Sequence, residues 1–202
     1  MSGLPRATVH RLPRYLRHLE DVGSSRSTVS SEELAEAAGV KAANVRKDLS
    51  ALGFAGTRGV GYAVPELRER IRRELGISRR RKVAIVGAGN LGTALARYAG
   101  LSRKGFDVVA IYDISPSRIG RKVGNVVVQD LAEMSGDCRR GRFEMAILVV
   151  PAAAAQGVAD QLVESGVASI LNFAPVRIQV PEGVAVRQVD LSTELQILSY
   201  YG

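Results

Sequence analysis

Through the first two fifths of the chain, apolar residues recur at helical spacing. Val9, Leu12, Leu16 and Leu19 make one stripe and predict a first helix. Pro13 lies inside that stripe, so the helix is kinked there or starts there. Ser30 with Glu33 is a capping box that opens a short second helix, which carries Leu34, Ala35 and Ala38 and stops at Gly39. A third helix begins three residues later, with Val45, Leu49 and Leu52 on one face and Gly53 at its end. Pro65 suits the first turn of a fourth helix, whose Leu67, Ile71 and Leu75 face inward before Gly76. Between the third and fourth, GFAGTRGVGY (53–62) is too rich in glycine for a helix. It predicts a tight β-hairpin with Arg58 near the tip and Tyr62 and Val64 on the return strand. Two helices joined by a short glycine turn, followed by such a hairpin, make a winged helix-turn-helix.

The pattern changes at SRRRK (78–82). Beyond it, short β-branched runs alternate with helical stretches: KVAIVG, DVVAIYD, MAILVV, ASILNF and GVAVRQV. Strands separated by helices predict a doubly wound parallel sheet. The expected fold is therefore α/β, with a winged-helix domain over 1–80 and a Rossmann domain over 81–190.

Charge sharpens the division. The chain has 202 residues with 28 Lys/Arg against 20 Asp/Glu. Residues 1–82 hold 17 basic and 9 acidic side chains, whereas residues 83–202 hold 11 of each, so the whole excess lies in front. A basic module fused to a neutral one suggests double-stranded DNA as partner; a solvated basic surface is the alternative. The hydrophobic share of 46% excludes wholesale disorder. One cysteine, Cys138, excludes an internal disulfide and a cysteine-rich zinc site, and no metal is expected. No apolar run approaches the ~20 residues of a membrane span. The first twenty residues, broken by Pro5, Pro13 and frequent charges, do not read as a signal peptide. The expected compartment is the cytoplasm.

The third helix turns Asn44, Arg46, Lys47 and Ser50 away from its apolar stripe. A helix fits the major groove, where Arg or Lys pairs with guanine O6 and N7. Asp48, between them, is expected to orient a neighbouring cation. Ser31 could offer a phosphate its hydroxyl and nearby backbone N–H groups. Arg58 on a glycine-rich tip suits a minor groove. An ordinary solvated face explains each of these taken singly. The fourth helix offers Glu66 to Arg70 and Glu69 to Arg73 as i,i+4 pairs, a salt-bridged surface rather than a second reading head.

KVAIVGAGNLGTALA (82–96) reads as strand, G-x-G-x-x-G, helix. Gly87 allows the turn, Gly89 lets backbone approach a pyrophosphate, and Gly92 lets helix and strand pack closely. Ala88, Asn90 and Leu91 complete the loop. Asp113 ends the next strand, 21 residues after Gly92, and is placed to accept from adenine-ribose hydroxyls. It favours NAD(H) over NADP(H); Arg118, Arg121 and Lys122 soften that preference. Two later strand ends, Val149-Val150-Pro151 and Asn172-Phe173-Ala174-Pro175, are expected to point into the same crevice as a dry wall for a nicotinamide ring. Alternatively they are loops with ordinary proline breakers. Both histidines, His10 and His18, lie in the basic module. No catalytic set stands at the strand ends, and Tyr98, on the first Rossmann helix, is the one titratable candidate. The expectation is a cofactor that is sensed and not consumed, hence no enzyme. The rivals are an NAD-dependent oxidoreductase with a basic appendage and a module for coenzyme A or another nucleotide.

RLPRYLR (11–17), VRKDLSALG (45–53), GTRGVGY (56–62), VGAGNLGTAL (86–95), ILNFAPV (170–176) and VDLSTELQ (189–196) together resemble the Rex family of redox-sensing transcriptional repressors. The resemblance covers essentially the whole chain. It implies a homodimer that binds palindromic operator DNA through a winged helix. NADH in the Rossmann domain releases it, and NAD+ permits binding. It also implies a C-terminal helix, here residues 191–202, that reaches into the partner subunit. Leu191, Leu195 and Leu198 would form that helix's apolar face. At matching positions stand Arg17, Tyr98 and Asp190. From these we expect an Arg17–Asp190 ion pair across the dimer, present in one state only, with Tyr98 reporting the ring. The alternatives are a helix N-cap for Asp190 and a phosphate contact for Arg17.

Overall fold

A computed structural model describes residues 3–201. The chain forms two compact units, one up to Arg79 and one from Arg80 onward.

In the first unit, α1 spans Arg6–Val22 and continues through Pro13, so the helix does not start there. Proline offers no N–H to the carbonyl four residues back, that of Val9. Both Val9 and Pro13 face solvent, so the orphaned oxygen lies where water can reach it. Val9 is thus not part of the buried stripe that its spacing predicts: it is 39% exposed, and Thr8 and Tyr15 join Leu12, Leu16 and Leu19 inside. Strand β1 (Thr28–Val29) leads into α2 (Ser31–Ala38). The capping box forms, with the Glu33 N–H donating to Ser30 Oγ at 3.1 Å and the Ser30 N–H to Glu33 Oε2 at 2.8 Å. Gly39, at φ 67°, ends the helix in the left-handed region. Helix α3 (Ala42–Ala51) buries Val45 and Leu49.

Strand β2 (Tyr62–Ala63) departs from the expected hairpin. It pairs antiparallel with β1, and the loop before it closes on itself through one Thr57–Gly61 bridge. Val64 is not on this strand but is the first residue of α4 (Val64–Glu74). Pro65 explains the change, because it cannot donate to a ladder and its fixed φ suits a helix start. Leu67 and Ile71 are buried as the spacing requires. The Glu66–Arg70 and Glu69–Arg73 pairs do not form. Arg70 bonds the Leu52 carbonyl at 2.9 Å and pairs with Glu74, while Glu69 accepts from Ser78. The Leu52 carbonyl, freed at the end of α3, draws the guanidinium across.

The second unit contains β3 (Arg81–Val86), α5 (Asn90–Arg97), α6 (Ala99–Arg103) and β4 (Phe106–Asp113). Then come β5 (Lys122–Val123), β6 (Val126–Asp130), α7 (Met134–Arg139), β7 (Met145–Leu148) and α8 (Ala152–Glu164). Strands β8 (Ser169–Asn172) and β9 (Ala185–Gln188) and helix α9 (Leu191–Tyr201) complete it. The sheet order is β5-β6-β4-β3-β7-β8-β9, parallel except for the β5–β6 edge pair. Chain direction across the sheet reverses at β3, between β4 and β7. That switch point opens a crevice at the carboxyl ends of the strands. Val86, Tyr112 and Leu148 pack under α7 and α8 on one face; Ile85, Ile111 and Ile147 pack with Leu95 and Leu101 on the other. Burial on both faces is why the central strands read as continuous apolar runs.

Tyr98 does not lie on a helix. It sits at a break between α5 and α6, with ψ 100°. An unbroken helix would leave Leu101 about 120° around the axis from Leu95; the break lets both reach the sheet. Helix α9 buries none of its residues within this chain. Leu191, Leu195 and Leu198 are 63%, 66% and 62% exposed.

Candidate functional site

The crevice is a cleft of about 420 Å³ lined by the glycine loop, Asp113, Ile114, Arg118, Leu131 and the Val149–Pro151 segment. The three glycines do different work. Gly87 has φ +105°, and a side chain on it would strike the Val149 carbonyl. A side chain on Gly92 would overlap the Gly87 carbonyl, so loop and helix close tightly there. A Cβ on Gly89 would meet nothing within 4 Å. Open space beside Gly89 is what a bulky phosphate requires. No side chain caps α5, and its first intrahelical bond runs from the Thr93 N–H to the Gly89 carbonyl. The amides of Asn90, Leu91 and Gly92 therefore have no intrahelical acceptor, which is the arrangement that binds anions.

Asp113 is buried and already engaged. Oδ2 accepts from the Ala88 N–H at 2.6 Å and from Arg118 at 3.2 Å; Oδ1 accepts from the Ser115 N–H at 2.8 Å. Burial alone would raise its pKa, but these donors outweigh it and hold the carboxyl below its ordinary value. The charged carboxylate thus braces the glycine loop and keeps lone-pair capacity on Oδ1 for a ribose hydroxyl. Residues fit a dinucleotide: an open phosphate seat, an ionised acidic acceptor and apolar walls.

The second strand end does not line this cleft. Its Phe173 N–H bonds the Leu148 carbonyl at 2.8 Å, beside the first. Asn172 is fully buried and gives its amide to the Val176 carbonyl and Gln188 Oε1, while Oδ1 accepts from the Ala174 N–H. Ala174 is buried; Pro175 borders a separate groove with Asp190. Tyr98 is 60% exposed, and its ring lies over Gly100, where a side chain would collide with it. Asp190 caps α9, accepting from the Ser192 N–H at 2.9 Å and from Thr193 Oγ1 at 3.0 Å. Those donors hold its carboxyl below the usual range. Arg17 stands exposed on α1.

In the first unit, Asn44, Arg46, Lys47 and Ser50 are all exposed on α3, and Arg58 is exposed at the loop tip. A groove of about 520 Å³ runs between the start of α2 and the 56–62 loop, lined by Ser31, Glu32, Arg46 and Arg58 among others. Arg46 donates to Ser31 Oγ at 3.0 Å and to Glu32 at 3.4 Å. Asp48 does orient a cation, though neither of its sequence neighbours. It is buried against α1, accepting from Arg11 Nε at 2.6 Å and Nη2 at 2.7 Å, from Thr8 at 2.8 Å and from Tyr15 at 2.8 Å.

Sequence reading missed Ile114, Leu131 and Ala154 in the cleft and Glu32 in the groove. Ile114 alone carried a signal, a large apolar residue directly after the acidic strand end. It also missed the buried Asp137 cluster under the sheet, where Tyr112 Oη donates at 2.7 Å beside Arg140 at 2.5 Å. Among the described residues, no group of three or more His, Cys, Asp or Glu side chains could hold a metal, and no helix is long and apolar enough to cross a membrane.

A winged-helix unit followed in one chain by a Rossmann unit with an open phosphate seat defines a two-domain, nucleotide-cleft class of protein. Comparisons narrow it. A family model described as a CoA binding domain matches residues 78–176, and one for a DNA-binding protein N-terminus matches residues 3–50. The redox-sensing transcriptional repressor Rex of Streptomyces coelicolor is 53% identical over 201 residues, covering 98% of this chain and 78% of that protein. The Rex repressor of Chloroflexus aurantiacus is 44% identical over 200 residues, covering 98% and 93%. Two crystal structures of the Rex-family repressor RSP are similar over 100% of this chain at 37% identity. The one with β-NAD+ and operator DNA has a TM-score of 0.92 and is covered over 93%; the one with β-NADH has 0.88 and is covered over 95%. The chain belongs to the Rex family of redox-sensing transcriptional repressors.

Proposed function

We propose that the chain is a transcriptional repressor that grips palindromic operator DNA in the cytoplasm as a homodimer and lets go when NADH replaces NAD+. The observation that carries this is the full-length similarity to one repressor solved both with β-NAD+ on operator DNA and with β-NADH. In this reading the amides of Asn90, Leu91 and Gly92, beside Gly89, hold the pyrophosphate, and Asp113 takes a ribose hydroxyl. Ile114 and Leu131 flank the adenine. Val149, Val150 and Pro151 wall the nicotinamide end; Asn172, Phe173, Ala174 and Pro175 support that wall from the neighbouring strand. The nicotinamide supplies a ring that is cationic when oxidised and neutral when reduced. A dry wall penalises the cation through desolvation, so the cleft favours NADH. The effector is bound and released unchanged.

Arg46, Lys47, Asn44, Ser50 and Ser31 contact the major groove and its phosphates, and Arg58 the minor groove. The exposed apolar face of α9 is the surface that a partner subunit covers. Asp190 then alternates between capping α9 and pairing with Arg17 of the partner subunit, with Tyr98 following the ring.

The family model for a CoA binding domain favours one other reading, a coenzyme A site. Calorimetric titration of the purified protein separates them: NADH binds, and excess coenzyme A fails to displace it. Displacement by coenzyme A, or steady-state consumption of NADH with a carbonyl substrate, would overturn the proposal.

A further inference from the structure

We infer that Glu32 sets how selectively the first unit reads DNA, acting through Arg46. The inference rests on the reading of the α2–loop groove as the operator contact. Three carboxylates lie on or close behind this face, and two are used by the fold. Glu33 caps α2 and pairs with Arg26; Asp48 is buried in the grip of α1. Glu32 does neither. Its side chain is 70% exposed in a groove otherwise lined by cations, hydroxyls, glycines and Val60. Its partners are its own backbone N–H, Ser31 Oγ, which donates at 3.1 Å, and Arg46 at 3.4 Å. With Arg46 also on Ser31 Oγ at 3.0 Å, the three groups close a triangle that points a flexible side chain one way.

That triangle treats two kinds of duplex differently. On a non-cognate duplex the gain open to Arg46 is a phosphate oxygen. Taking it leaves the Glu32 carboxylate unpaired beside the same phosphates, which repel it. On a cognate duplex the far edge of the guanidinium meets a base while Glu32 still neutralises it from behind. The carboxylate therefore costs affinity for every sequence, and most for the wrong ones; specificity is the difference of the two.

The test is Glu32→Gln, which keeps shape and hydrogen bonding and removes the charge. Two probes are used: a palindromic duplex that the wild-type chain selects from a random pool, and a scrambled duplex of the same composition. The variant is expected to melt like wild type and to bind the scrambled duplex about two- to fivefold more tightly, the scale of one exposed ion pair. Its gain on the selected duplex is smaller, so selectivity falls. In an Arg46→Ala background the same substitution leaves selectivity unchanged. Equal gains on both duplexes, no change on either, or an undiminished loss of selectivity without Arg46 would overturn the inference. If the wild-type chain itself does not prefer its selected duplex, the DNA-reading proposal fails first, on its own count.

Discussion

Asp48 accepts four hydrogen bonds from three residues of α1 and so locks α3 to α1. Burial would raise its pKa, but Arg11, Thr8 and Tyr15 more than offset that and hold the carboxyl below its ordinary value. A depressed folded pKa contributes stability that is complete above the unfolded value of about 3.9 and is lost as pH falls through the folded one. Asp48→Asn should cost about 2–3 kcal/mol at pH 7, less than a fully buried pair because Arg11 is partly exposed. It should also flatten the acid limb of urea midpoint against pH below about pH 4. An unaltered acid limb would contradict this. The cleft glycines make a paired prediction. Gly92→Ala forces backbone apart, and should lower both the melting temperature and NADH affinity. Gly89→Ala has room within the chain and should lower NADH affinity alone, read by calorimetry beside a thermal melt.

Elements with a local signal were legible from the chain. The Ser30/Glu33 box, the glycine stops and the strand–glycine–helix run each depend on residues a few positions apart, and each forms. What stayed hidden depends on partners far away in sequence. The wing strand pairs with Thr28–Val29 instead of its neighbour, and Tyr98 breaks a helix so that Leu101 can reach the sheet. Thr8 and Tyr15 look polar until Asp48, 40 and 33 residues on, buries with them. In the cleft the structure gathers Gly87, Gly89, Asn90, Leu91, Gly92, Asp113, Val150 and Pro151, whereas Ala88 is buried behind the loop with its N–H on Asp113; the 172–175 segment stands one strand further off because Asn172 turns inward to its own loop. Helix α9 has 11 residues, none buried, and an isolated helix of that length is marginal in water. Its cap gives a clean experiment. Asparagine caps as well as aspartate but carries no charge. Asp190→Asn should leave the far-ultraviolet dichroism intact and blunt the NADH response in operator binding. A response equal to wild type would make Asp190 a cap and nothing more.

For the molecule as a whole, the basic excess lies wholly in the first 82 residues. Operator affinity should therefore fall steeply with salt, by about −0.9 in log–log slope per neutralised phosphate, while NADH affinity hardly moves. Lys47→Ala should flatten that slope by about 1 and leave NADH calorimetry unchanged; loss of both would indicate a misfolded chain. Coupling has a definite size. Reversing occupancy from 1:99 to 99:1 takes ~5.5 kcal/mol, or roughly 2.7 kcal/mol from each of the two cofactor sites of the proposed homodimer. Desolvating one ring cation is a source of that order. The most direct measurement is a titration of the purified chain onto its selected duplex at fixed salt, with saturating NADH in one series and saturating NAD+ in the other. Release by NADH and retention with NAD+ is the expected result; binding curves that coincide would contradict the account.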